Sequence, residues 1–178
     1  VESQTTIIYN NRFYTYYRSG EEIKADSTAI SDTPKWGKVD LSGIPHTLRL
    51  SSFITSGNLI YALDAATGAV YQSPDGSDWS AVQTEYEVKA LYGELPFADP
   101  GNILLAVTHD EKVKFARTNN GFSNIVLMND LPDNMPMADF SAMKVESRTS
   151  YASKFIFLSG GNTSDNAFSN NIWILQED

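Results

Sequence analysis

The sequence repeats itself at a spacing of about 44 residues, and few folds tolerate such a repeat. Gly57-Asn58-Leu59-Ile60-Tyr61-Ala62-Leu63 returns as Gly101-Asn102-Ile103-Leu104-Leu105-Ala106-Val107, 44 positions on. Further along, Asp75-Gly76 returns as Asn120-Gly121, at 45. Trp36 and Trp79 lie 43 apart, each closing a polar, turn-rich run. A repeat of this kind is a supersecondary unit that buries its apolar surface against copies of itself. About 40–50 residues is the usual length of one four-stranded propeller blade.

The local pattern agrees. Apolar runs are short and bounded by Gly, Asn, Asp, Ser or Pro, at 6–9, 13–17, 59–63, 69–72, 103–107, 113–116, 125–128, 155–158 and 172–175. No amphipathic stretch keeps helical three-and-four spacing beyond about ten residues. Nine Tyr, nine Phe and three Trp suit half-buried pleated surfaces. The expected fold is all-β, with about four antiparallel, propeller-like blades at 5–49, 50–97, 98–147 and 148–178. They form a single domain over 1–178 or part of a larger ring. The last unit is short, and segment 5–9 is expected to complete its sheet. His109-Asp110-Glu111-Lys112 reads as a hairpin turn, and 130–136 as a loop between strands.

Two motifs carry a family resemblance. Ser73-Pro74-Asp75-Gly76-Ser77-Asp78-Trp79 resembles the Asp-box, a Ser-x-Asp-x-Gly-x-Thr-Trp hairpin of sialidase-like propellers, although Gly follows Asp directly and the Thr is missing. Asp-Gly suits a turn with positive φ, and the Asp side chain can cap backbone N–H groups there. The run 155–158, then Ser159-Gly160-Gly161, then Asn170-Asn171-Ile172-Trp173, resembles a kelch repeat. In that resemblance Gly160 and Gly161 let strands approach closely, and loop 162–170 sits on one face of the blade. The chain is also similar in texture to secreted or lipid-anchored surface proteins of Bacteroidetes. Ser73, Asp75, Gly76, Trp79, Gly160, Gly161 and Trp173 are thus expected to be structural.

Several chemistries find no support. There is no cysteine, so disulfides, thiolate metal sites and a Cys nucleophile are excluded. The net charge of −9 opposes binding to nucleic acid or to an anionic membrane surface. No apolar stretch approaches the ~20 residues of a membrane span. The start lacks a signal peptide and an initiator Met, as expected of a trimmed or processed chain or a fragment, from which any export signal would have been removed upstream. His46 and His109 are the only histidines, so zinc is not expected. Sialidase chemistry needs an arginine cluster, and the five arginines show none. Glycosidase chemistry needs two facing carboxylates, and the spacing of Glu21, Glu22, Asp64, Glu85, Glu87 and Glu94 selects no pair. No Gly-x-Ser-x-Gly elbow or phosphate-binding glycine loop is present. No cofactor is expected. Calcium stays open, since Asp75, Asp78, Asn119, Asn120, Asp165 and Asn166 offer oxygens in loops.

What remains is binding. Tyr14, Tyr16 and Tyr17, with Trp36 nearby, could stack against sugar rings or pack between blades. Tyr14, Tyr16 and Trp36, together with Asn162 and Asp165 in the variable loop, are the candidate ligand residues. The expected function is a non-enzymatic binding module of an exported bacterial protein, at the cell surface, outside it or in the periplasm. Its blade loops would contact a glycan or a protein. The alternatives are a carbohydrate-active enzyme or its accessory domain, and an assembly domain completed by a second copy or an upstream segment.

Overall fold

In a computed structural model, residues 3–64, 66–94, 102–131, 141–145, 154–159 and 172–177 are described. They form fifteen strands and two 3-10 turns, with no α-helix among the described residues. The strands fall into four antiparallel meanders. The first holds β1 (Gln4–Tyr9), β2 (Arg12–Ser19), β3 (Glu22–Ala29) and β4 (Gly37–Val39). The second holds β5 (Ile54–Ser56), β6 (Leu59–Leu63), β7 (Val70–Ser73) and β8 (Ser80–Val82). The third holds β9 (Val88–Glu94), β10 (Ile103–His109), β11 (Lys112–Thr118) and β12 (Ile125–Asp130). The fourth holds β13 (Ser141–Val145), β14 (Lys154–Ser159) and β15 (Ile172–Glu177). Each strand pairs with its sequence neighbour, which is the layout of a propeller blade.

Turn chemistry produces these meanders. Asn10 and Asn11 sit at φ 47° and 55° between β1 and β2, and Asp110 and Glu111 at 51° and 60° between β10 and β11. Two successive positive φ values match the twist of a two-residue hairpin, and Asn and Asp tolerate them best. The second of these turns is the one expected at 109–112.

The sheets are out of phase with the repeat units drawn from the sequence. β9, placed at the end of 50–97, pairs with β10 and opens the third sheet. β13, placed in 98–147, pairs with β14. Among the described residues segment 5–9 lies in β1, the edge of the first sheet, and is not part of the β13–β15 sheet it was expected to complete. A repeat fixes the period of a structure, whereas the phase depends on which strand opens each sheet.

The core lies between sheets. Ile60 and Ala62 of β6 join Tyr14, Tyr16, Leu48, Phe53 and Trp79 in one cluster. Tyr61 and Leu63 join Val88, Ile103, Leu105, Val107 and Phe122 in another. β6 is therefore covered on both faces, which explains its unbroken apolar run. Tyr61 and Leu105, equated by the 44-residue alignment, meet across one joint instead of occupying matching faces. A slip of one residue inverts every side chain of a strand. The true period shows at the ends of the third strands. There Thr28, Ser73 and Thr118 follow at intervals of 45, each almost fully buried.

Tyrosines lock the joints. The Tyr16 hydroxyl donates to the Gly76 carbonyl at 2.8 Å, and Tyr14 to that of Asp75 at 3.0 Å. Tyr9 reaches the carbonyls of Asn58 at 2.6 Å and Pro74 at 2.8 Å. At the next joint the Gly121 N–H donates to the Tyr61 hydroxyl at 3.1 Å. Tyr16 and Tyr61 stand 45 apart, as do Gly76 and Gly121. Gly76 has φ +83°, and a Cβ there would sit 2.6 Å from Cε1 of Tyr14.

Tyr16→Phe should lower stability by about 1–3 kcal/mol, because the Gly76 carbonyl loses its partner in a buried setting. Gly76→Ala should cost more, through both φ and the Tyr14 contact. Urea unfolding followed by circular dichroism checks both, and equal midpoints for wild type and Tyr16→Phe would contradict the lock.

Candidate functional site

The turn joining β7 to β8 is a small hydrogen-bonded cage. Ser73 Oγ accepts from the Gly76 N–H at 2.9 Å and lies 3.1 Å from Asp75 Oδ1. Asp75 Oδ1 accepts the N–H groups of Ser77 and Asp78 at 2.8 and 2.9 Å. Burial pushes the Asp75 pKa up, but the bonds from Asp78, Ser77 and Ser73 outweigh it and hold the carboxyl below its ordinary value. Trp79 follows, buried with its ring edge-on to Tyr16 at 5.8 Å and to Phe53 at 5.4 Å. The cage consumes Asp75 internally, and Asp78 Oδ1 accepts from Ser42 Oγ at 2.6 Å. Ser73, Asp75, Gly76 and Trp79 thus hold one blade's turn against its neighbour.

Other expected residues fare differently. Tyr14 and Tyr16 are not ligand platforms, since both are buried in the first joint with their hydroxyls engaged by the second sheet. Trp36 stays 53 % exposed. Asn162, Asp165, Gly160 and Gly161 lie outside the described residues. Trp173 pairs with Leu158 within the fourth sheet, and its side chain lies outside the described residues. Among the described residues no three metal-ligating side chains cluster, and no helix is long and apolar enough to cross a membrane.

A different place offers a site. β4 pairs with β3 only at Ala25, Asp26 and Ser27. After Val39 the chain peels away, and Ser42 bridges to Asp78 in the second sheet. Its N–H donates to the Ser77 carbonyl at 3.0 Å, and its carbonyl accepts the Trp79 N–H at 2.9 Å. Gly43 follows at φ +65°, packed so closely on the Trp79 carbonyl that a Cβ would collide with it. The Arg18 guanidinium holds the far end by donating to the carbonyls of His46 at 2.6 Å and Leu48 at 3.1 Å.

The fork between β3 and this departing segment is a cleft of about 680 Å³. Tyr17, Glu22, Lys24, Lys38, Asp40 and His46 supply its aromatic and charged lining, and Ile23, Leu41 and Ile44 its apolar part. Lys24 and Glu22 form an ion pair at 3.5 Å. The sequence singles out Tyr17, Glu22 and, as a histidine weighed for zinc, His46, but not Lys24, Lys38 or Asp40. The available signal was the punctuation of 37–45 by Gly37, Gly43 and Pro45, which ends a strand early.

A family model described as the DUF6242 β-propeller domain matches residues 1–178. The chain belongs to the DUF6242 β-propeller family. The three complete sheets are accordingly propeller blades. No curated protein matches the chain.

Asp75 and Asp64 both have lowered pKa values; burial raises each, but hydrogen bonds more than offset it. A depressed folded-state pKa gives stability that is complete above the unfolded value of about 4 and is lost as pH falls through the folded value. The melting temperature should therefore fall as pH drops below about 4. Asp75→Asn should flatten part of that fall, and an unchanged acid limb would show that Asp75 is not among its causes.

Proposed function

We propose that this DUF6242 propeller is a non-enzymatic binding module of an exported bacterial protein, and that its cleft beside β4 takes a sugar unit of a glycan. The cleft carries the reading. It is concave, of the size ligand sites usually have, and combines the half-buried ring of Tyr17 with charged groups from two walls. Sugars are held by such pairings, because C–H faces rest on an aromatic ring while hydroxyls bond to carboxylates, ammonium groups and imidazoles. The acidic surface suits the extracellular or periplasmic setting proposed for it. The cage at 73–79 supports an Asp-box kinship, since it uses Ser, Asp and Trp as that turn would; the kelch kinship rests on 155–173 in sequence alone.

A protein ligand is the second reading, favoured by one observation. Among the described residues no strand pairs with the β4 side of β3 beyond Ala25, so Glu22–Lys24 offers a short edge to an extended peptide.

A glycan array run with calcium and with chelator tests the reading, followed by calorimetry on the hits. Tyr17→Ala should weaken glycan binding at least tenfold while leaving the fold intact by circular dichroism. Lys38→Ala should weaken it less. A blank array with intact protein would remove the glycan reading, and chelator-sensitive binding would bring the calcium loops back into play.

A further inference from the structure

The fork beside β4 cuts across the edge of a sheet, so it opens onto three chemistries at once. Side chains alternate between the two faces of a strand, and cross-strand partners share a face. Ile23, Ala25 and Val39 belong to the face that packs on the second blade, and Leu41 and Ile44 pack against the same core. Lys24 and Lys38 alternate with these residues and occupy the reverse face. Tyr17 joins them, as the cross-strand partner of Lys24, and so does Glu22, two residues from it. One wall of the fork is therefore apolar, and the other is aromatic and charged.

Between the walls runs the edge of β3. Among the described residues β4 covers that edge only at Ala25, Asp26 and Ser27. In an antiparallel strand every second residue turns both its N–H and its C=O to the same side. The stretch 22–24 thus aims at least one such pair of backbone groups into the fork, and an open edge is a template for another amide.

The apolar wall is held from both ends. Leu41 and Ile44 flank Ser42, which is hydrogen-bonded to Ser77 and Trp79, and Gly43, which packs on the Trp79 carbonyl. Arg18 fixes the carbonyls of His46 and Leu48 just beyond. A wall that does not yield selects by size, and one methylene in an apolar pocket changes binding by roughly 10- to 200-fold.

A plain hexose meets only part of this lining. Its hydroxyls suit the charged wall and its C–H face suits the Tyr17 ring, but nothing in it answers the apolar wall or the strand edge. An acetamido group answers both. It is a planar secondary amide like the peptide unit, and it ends in a methyl group. Its C=O accepts an N–H from the edge, and its methyl group meets the apolar wall.

We propose that the sugar taken by the cleft is an N-acetylated amino sugar, with its acetamido group between the β3 edge and the Leu41–Ile44 wall. The proposal rests on the reading of the cleft as a sugar site and adds the class of sugar.

The test compares matched ligands on the full chain by NMR titration. Trimers of N-acetylglucosamine and of N-acetylgalactosamine are set beside glucose and galactose trimers of the same linkage. At least one acetamido trimer should bind about tenfold or more tighter than its parent, and it should shift backbone amides within 22–25. Leu41→Ala should shrink that ratio severalfold, which a general loss of stability does not do. Equal binding of each acetamido trimer and its parent would keep the glycan reading and overturn this proposal, as would shifts confined to residues away from the cleft. If none of the four binds, hits on the glycan array would likewise leave the glycan reading standing without this proposal, and a blank array would remove both. N-acetyl-trialanine amide completes the set. Binding of this peptide as tight as that of the sugars, at the same backbone amides, would give the fork to extended peptides and overturn the proposal.

Discussion

The structure hangs on tyrosine side chains that reach from one blade into the tight turn of the next. A blade is a small, strongly twisted meander that cannot bury both faces alone, so its stability comes from its neighbours. Apolar packing supplies most of the attraction but fixes no angle. The hydroxyls of Tyr14 and Tyr16 supply direction, because they end on the carbonyls of Asp75 and Gly76. Those carbonyls are aimed by the cage that Ser73 and Asp75 build inside the turn. The second joint uses the same idea with the polarity reversed, since the Tyr61 oxygen receives the Gly121 N–H.

This arrangement accounts for what the sequence revealed and what it hid. The period was readable because the turns that meet the preceding blade's tyrosines, Asp75-Gly76 and Asn120-Gly121, must recur for the joint to recur. The phase was hidden because β9 resembles β5 in nothing but being extended, so no residue announces that Val88 opens a new sheet. The face of each residue was hidden as well. The strands at 59–63 and 103–107 are apolar on both alternations, so an alignment there can slip by one without breaking any hydrophobic pattern. The burial of Tyr14 and Tyr16 could not be told from exposure by composition, since a joint and a sugar platform both call for aromatic rings with a polar tip.

The cleft was invisible for a different reason. It has no motif of its own, being the space left when β4 stops after three residues. Strand ends are the least certain part of any sequence reading, and this site consists of one. Its charged residues are spread over β3, β4 and the segment that follows, with nothing in their spacing to unite them. The membership in the DUF6242 propeller family secures the architecture, while the cleft follows from how the chain leaves its first blade.

The bridge from Ser42 to the second blade has one more consequence. The segment after β4 that bridges is also a wall of the cleft, so the cleft is built from one blade and braced by another. Occupancy and the closeness of the two blades are then thermodynamically linked. A ligand that prefers the braced wall would tighten the first joint, and a loosened joint would lower affinity without any contact being lost. The first pair of blades would behave as a mechanical unit whose stiffness reports what it holds.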